Sequence, residues 1–277
     1  MDHTSSLATP TTSTRLLQVL NIIGFTLMVF MNFLAVYLPL NGKTTGELSV
    51  KYENLFVPAG ATFSIWGIIY FLLLAFTIFQ ASSLFSSRPN KPTTVVTQLS
   101  IWYFASSLLN SFWIVAWHYE LIPVSVAIML LLLTVLIFAN FGIVNIYRQL
   151  SGGLGLLAKA SFGIYLGWIC VATIANITAW LTAIGWSAGL EEDTWTVIMV
   201  VVGGLIALFA AIKLNNVFVS VALIWAFSGI ILKRVNSEPV YYLIITTAVI
   251  AAMAHFINVL AGIYRMNRTK TTLSADQ

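Results

Sequence analysis

Ile128-Met-Leu-Leu-Leu-Leu-Thr-Val-Leu-Ile-Phe138 carries one hydroxyl and no charge. The run does not alternate between polar and apolar residues, which excludes a membrane-barrel strand of about ten residues with a period of two. It lies inside a longer apolar stretch, residues 121–147, which exceeds the roughly 20 residues a helix needs to cross a bilayer. Working outward, the same reading gives helices over residues 16–40, 61–85, 97–118, 121–147, 160–184, 195–212, 216–234 and 239–264. The expected fold class is therefore all-α, a polytopic transmembrane helical bundle of about eight spans. A seven-span alternative drops one of the short helices around Lys213.

Composition agrees. Of 277 residues 59% are hydrophobic and 8% charged, whereas soluble domains average about 25% charged residues. Mean hydropathy is +0.93. The 13 basic residues are scattered between apolar runs, with a surplus of only four positive charges, so no basic patch suits nucleic acid. The first span follows a polar, Ser/Thr-rich start (Met1 to Thr14) and is too long for a cleaved signal peptide, so it is read as retained. Cys170, the single cysteine, sits in an apolar stretch and reads as a small buried hydrophobe.

With eight spans both termini share one side. Placing them in the cytoplasm puts Arg15, Arg88, Lys91, Arg148, Lys159, Lys213, Arg265, Arg268 and Lys270 inside, and Lys43, Lys51, Lys233 and Arg234 outside. Glu47, Glu53, Glu120, Glu191, Glu192, Asp193 and Glu238 also fall outside. The Lys233–Arg234 pair is the one misfit to the positive-inside rule. His255 alone is an ionisable group deep in a span, and a lone histidine there reads as a hydrogen-bonded packing residue. Ion-coupled transporters, proton pumps and voltage sensors need embedded charges, which these spans lack.

The spans instead hold amides and rings. Asn21, Asn32, Asn110, Asn140, Asn145, Asn176 and Asn258 lie within or near apolar runs. Those deep in the bilayer are expected to face protein and bond between helices. Trp180, Trp186 and Trp195 flank the acidic loop as an interfacial belt, with Trp102 a weaker candidate. Gly152-Gly153-Leu154-Gly155 has no accompanying lysine and reads as a flexible turn, not a phosphate loop. No nucleophile, metal-ligand or phosphate-binding motif is present.

Three segments remain. Phe56 to Tyr70 has Pro58 and Gly60 closing a loop, then Phe63, Trp66 and Tyr70 at i, i+3, i+7, which would place three aromatics on one helical face. Leu109 to Trp117 puts Asn110, Trp113 and Trp117 on one face. Trp168, Ala172 and Asn176, just after Tyr165, form a slanting stripe that drifts about 40° at each step. Taken singly, each stripe reads as helix packing. Together they fit a flat apolar pocket with a few polar anchors.

At these residues the chain resembles the translocator protein family, TspO/MBR, called tryptophan-rich sensory proteins in bacteria. Leu109-Asn110-x-x-Trp113 and Tyr165-Leu-x-Trp168-(x)3-Ala172-(x)3-Asn176 have that family's spacing. The Pro58 to Tyr70 segment is one residue short between Phe63 and Trp66 and keeps one proline of two, and His118 stands where a second aromatic is usual. The resemblance covers about residues 16–184 and implies five helices around a pocket for porphyrins, sterols and related planar compounds. It implies that Trp66, Tyr70, Asn110, Trp113, Trp117, Tyr165, Trp168, Ala172 and Asn176 line the pocket. The loop from Asn41 to Gly60, with Pro58 and with Phe63 after it, would be its lid.

The expected organisation is a polar tail (1–15), a TspO-like five-helix bundle (16–184), three additional transmembrane helices (195–264) and a polar tail (265–277). The expected function is that of a non-catalytic integral membrane binder, sensing or translocating planar hydrophobic ligands. A small-molecule transporter and an intramembrane enzyme acting on tetrapyrroles or lipids are the alternatives. No cofactor or metal is obligatory, with porphyrin or haem as a ligand. The partners expected are the lipid bilayer, a small hydrophobic ligand and a second copy of the chain, with no nucleic acid.

Overall fold

The computed structural model describes residues 7–147, 150, 153–187 and 189–275, the last ten of these as backbone only. Arg148 and Gly152 lie outside the described residues. Ten α-helices are described and no strand occurs among the described residues. They are α1 (Thr12–Tyr37), α2 (Thr45–Lys51), α3 (Ile65–Ala81), α4 (Lys91–Leu99) and α5 (Trp102–His118), then α6 (Ile122–Ile146), α7 (Gly153–Ala183), α8 (Glu192–Lys213), α9 (Val217–Val235) and α10 (Tyr242–Ala275).

Local chemistry sets the ends. Thr11 caps α1 in a capping box with Thr14, and Thr44 caps α2 in one with Glu47, each box satisfying amides that the first turn leaves open. The Asn90 side chain caps α4 through the Thr93 amide, and Asn216 caps α9 through that of Phe218. Glu192 and Asp193 in the first turn of α8 and Lys213 in its last complement the helix dipole.

Among the described residues seven helices are long and apolar enough to cross a membrane, and the pair α4–α5 makes an eighth if it counts as one span. This pair corrects the straight helix expected over 97–118. The chain breaks at Ser100, where φ is 49°, and the two segments are bent by 57°. A close approach accompanies the break: a Cβ on Gly142 of α6 would stand 2.6 Å from the Gln98 carbonyl oxygen, so only glycine lets α6 approach the end of α4. The turn expected at 152–155 is also corrected from residue 153 on, because α7 begins at Gly153. Gly155 there leaves room for the Tyr147 ring, 3.0 Å from where a Cβ would be. Both expected tails are partly helical, α1 starting at Thr12 and α10 running to Ala275.

The spans carry large apolar side chains outward. Phe71, Ile78 and Phe209 are 69%, 63% and 63% exposed, a surface that a bilayer covers and water does not favour. The protein is an integral, multi-pass membrane protein.

The chain divides into two compact units, one of residues 1–53 and 66–162 and one of 54–65 and 163–277. In the first, α5 packs on α1 and α6, α4 on α6 and α1, and α2 on α5. Phe76, Tyr103 and Phe162 meet edge to face at its core, with centroids 5.1 to 5.7 Å apart. Amides join α1 to α3: Gln18 donates to the Gln80 carbonyl at 2.6 Å, and Asn21 to Gln80 Oε1 at 3.1 Å.

In the second unit α8, α9 and α10 pack on one another. His255 of α10 lies 3.2 Å from the Gly204 carbonyl and 2.9 Å from Ser220 Oγ. Because a carbonyl only accepts, His255 Nε2 carries the proton and Nδ1 accepts from Ser220, which in turn accepts from Asn258 at 3.0 Å. His255 is thus a packing residue tying three helices. Gly167 supplies the α7–α9 crossing, since a Cβ there would lie 2.5 Å from the Val219 carbonyl oxygen.

Candidate functional site

In the first unit the site is built on α5. Its period places Asn110, Trp113 and Trp117 on one face, and all three are buried. The indoles of Trp113 and Trp117 stack, with centroids 6.0 Å apart and planes 19° from parallel. Asn32 of α1 donates to Asn110 Oδ1 at 2.8 Å. The remaining donors of this face, Asn110 Nδ2, Trp113 Nε1 and Trp117 Nε1, are buried and meet no acceptor among the described residues. On α3, Trp66 and Tyr70 stack at 5.5 Å.

The end of α5 carries a clamp. Lys43 and Lys51 both pair with Glu120, and the Tyr52 hydroxyl donates to the same carboxylate at 2.7 Å. Asn41 donates to the His118 carbonyl at 3.0 Å. The His118 ring donates from Nδ1 to the Ile114 carbonyl at 2.8 Å, leaving Nε2 to accept from Thr45 at 3.3 Å. Hydrogen bonds from Lys43, then Lys51 and Tyr52, hold the Glu120 carboxyl down at about 2. Desolvation, then the bond to Glu120, pushes the Tyr52 phenol up to about 12. The Tyr52 ring lies 5.9 Å from Trp117, so residues 41–53 are fastened beside the tryptophan pair. By sequence Glu120 is a loop charge on the outer side. Its signal was that no other Asp or Glu occurs between residues 54 and 190.

The second unit holds the other expected residues. Tyr165, Trp168 and Asn176 of α7 are buried and Ala172 is half-buried. Phe63 meets Trp168 edge to face at 5.7 Å. This corrects the stripe expected from Phe63 through Trp66 to Tyr70. Phe63 belongs to a 3-10 turn, Gly60–Ser64, that precedes α3, and the chain is held there by other bonds. The Ala59 amide donates to the Gly229 carbonyl at 3.0 Å, Trp225 Nε1 to the Thr62 carbonyl at 2.8 Å and the Leu55 amide to Glu192 at 3.2 Å. Pro58 is buried within this segment. The structure thus assembles the expected residues as two sets. Trp66, Tyr70, Asn110, Trp113 and Trp117 belong to one unit, while Pro58, Phe63, Tyr165, Trp168, Ala172 and Asn176 belong to the other.

Chemically, the α5 face offers flat apolar planes and neutral hydrogen-bond donors with no charge. Such a surface suits stacking and acceptor recognition.

No curated protein and no solved structure matches the chain. The family model described as TSPO-like protein matches residues 18–261, running beyond the motifs of α5 and α7 through α8 and α9 into α10. With that match over most of its length, the chain belongs to the TSPO-like protein family.

Proposed function

We propose that this membrane protein binds planar hydrophobic ligands that carry hydrogen-bond acceptors, such as porphyrins or sterol-like molecules, and senses or translocates them. One observation carries the reading: Asn110 Nδ2, Trp113 Nε1 and Trp117 Nε1 are buried donors on one face with no acceptor among the described residues. A buried donor left unmade costs about 1–3 kcal/mol. A ligand acceptor placed there recovers that cost, while the stacked indoles receive a flat ring system. The clamp on Glu120 supports a lid over residues 41–53, and the family membership supports the class of ligand.

The test is titration of the full-length protein in detergent micelles with protoporphyrin IX, read by tryptophan fluorescence. Saturable quenching is expected, with weaker affinity for Asn110→Ala and for Trp113→Phe. Linear, unsaturable quenching in the wild-type protein sinks the reading.

A further inference from the structure

A cavity lies in the first unit, and none of its lining residues belongs to α5. It measures about 450 Å³ and is lined by Arg15, Val19, Leu84, Phe85 and Ser87. Its two walls are the start of α1 and the segment that follows α3. Both are span ends, where a helix leaves hydrocarbon for headgroups.

The wall chemistry is divided in the same way. Phe85 is 94% exposed, a position that water disfavours for a ring but the upper acyl region accepts. Val19 and Leu84 continue this apolar side. Arg15 and Ser87 form the polar side. One guanidinium nitrogen of Arg15 donates to the Ser86 carbonyl at 3.1 Å, which holds the side chain across the gap between the two walls. Among the described residues no carboxylate pairs with the Arg15 guanidinium. Arg88 follows the cavity wall directly, so a second guanidinium lies next to Ser87 in the chain.

Neighbouring backbone is fixed. The Ala8 amide donates to Thr94 Oγ1 at 2.8 Å, and the Asn90 amide to the Ala8 carbonyl at 3.3 Å, pinning the chain before α1 against α4. The cavity is therefore built by long-range contacts, not by one loop.

We infer that this cavity seats the headgroup of an anionic phospholipid, with Arg15 and Ser87 on the phosphate and Val19, Leu84 and Phe85 against the first methylenes of its chains. A planar guanidinium suits phosphate oxygens, and the volume admits a phosphoglycerol group but not a whole lipid. A free inorganic anion uses only the polar side and leaves the apolar wall without a role.

The test is native mass spectrometry of the full-length protein in detergent, titrated separately with phosphatidylglycerol, phosphatidylcholine and inorganic phosphate. One basic side chain near an anionic headgroup corresponds to about a five-fold preference, so the first phosphatidylglycerol adduct is expected about five-fold tighter than the phosphatidylcholine adduct. Arg15→Gln should abolish the difference, and Val19→Trp, which fills the cavity, should reduce it even if the first variant misfolds. Millimolar phosphate should leave the adduct in place. An unchanged preference in both variants, or displacement by phosphate, overturns the inference. Porphyrin quenching measured on the same Arg15→Gln protein is expected unchanged, which separates this site from the α5 face.

Discussion

Asn32 and Asn110 share one hydrogen bond, and its direction determines what Asn110 offers to a ligand. Asn32 Nδ2 donates both to the Met28 carbonyl at 2.9 Å and to Asn110 Oδ1 at 2.8 Å. A carbonyl cannot donate, so the nitrogen of Asn32 is identified by Met28, and the oxygen of Asn110 is identified in turn by Asn32. The Asn110 NH₂ is thereby left as a buried donor with no acceptor among the described residues. A helix-packing amide has become a positioned donor.

This relation predicts a graded pair of variants. Asn110→Ala removes the donor and is expected to weaken porphyrin binding by about 2- to 12-fold, the equivalent of one net hydrogen bond of about 0.5–1.5 kcal/mol. Asn32→Ala leaves the donor but frees its orientation, so a smaller loss is expected. Quenching titrations of both variants check the order, and a larger loss for Asn32→Ala contradicts it.

The Glu120 clamp predicts a pH dependence. Its carboxyl titrates at about 2, below the ordinary 4.5. A depressed carboxyl pKa contributes stability that is present above the ordinary value and lost as pH falls toward 2. Hydrogen exchange of residues 41–53, corrected for intrinsic rates, is expected to be slow and constant between pH 5 and 8 and to rise below about pH 4. Glu120→Gln should show the raised rate at neutral pH. Because Lys43 and Lys51 are well exposed, high salt should loosen the clamp as well.

Two glycines separate crowding from propensity. Gly142→Ala drives a Cβ to 2.6 Å from a backbone oxygen, and a loss of about 1–3 kcal/mol is expected. Gly67 of α3 has nothing within 4 Å of its Cβ position, so Gly67→Ala should be neutral or stabilising by up to about 1 kcal/mol. Thermal unfolding in a common detergent compares them.

His255→Ala strips two partners at once, leaving Ser220 and the Gly204 carbonyl to find others. A loss of about 1–2 kcal/mol is expected for this buried interhelical node. His255→Gln, which can replace one bond, should recover part of it in the same unfolding measurement.

The placement of charge and apolar runs in the sequence was sufficient for a helical membrane bundle. Hydrocarbon requires every backbone group to be satisfied within a segment, so a run such as Ile128 to Phe138 has no other solution. The face shared by Asn110, Trp113 and Trp117 was also legible, because helical period is a local property. Phe63 was not: its spacing to Trp66 matched a helix, yet the Gly229 carbonyl and the Trp225 indole hold Ala59 and Thr62 at the 3-10 turn before α3. The break at Ser100 was equally hidden, since Gly142 and Gln98 are far apart in sequence and meet only by packing. Glu120 illustrates the difference most directly. Sequence alone determined that it was a lone acid between two spans, and only the tertiary structure brought Lys43, Lys51 and Tyr52 to it from 68 to 77 positions away. Period and hydropathy act within one helix, whereas partners at such separations are chosen by how helices pack.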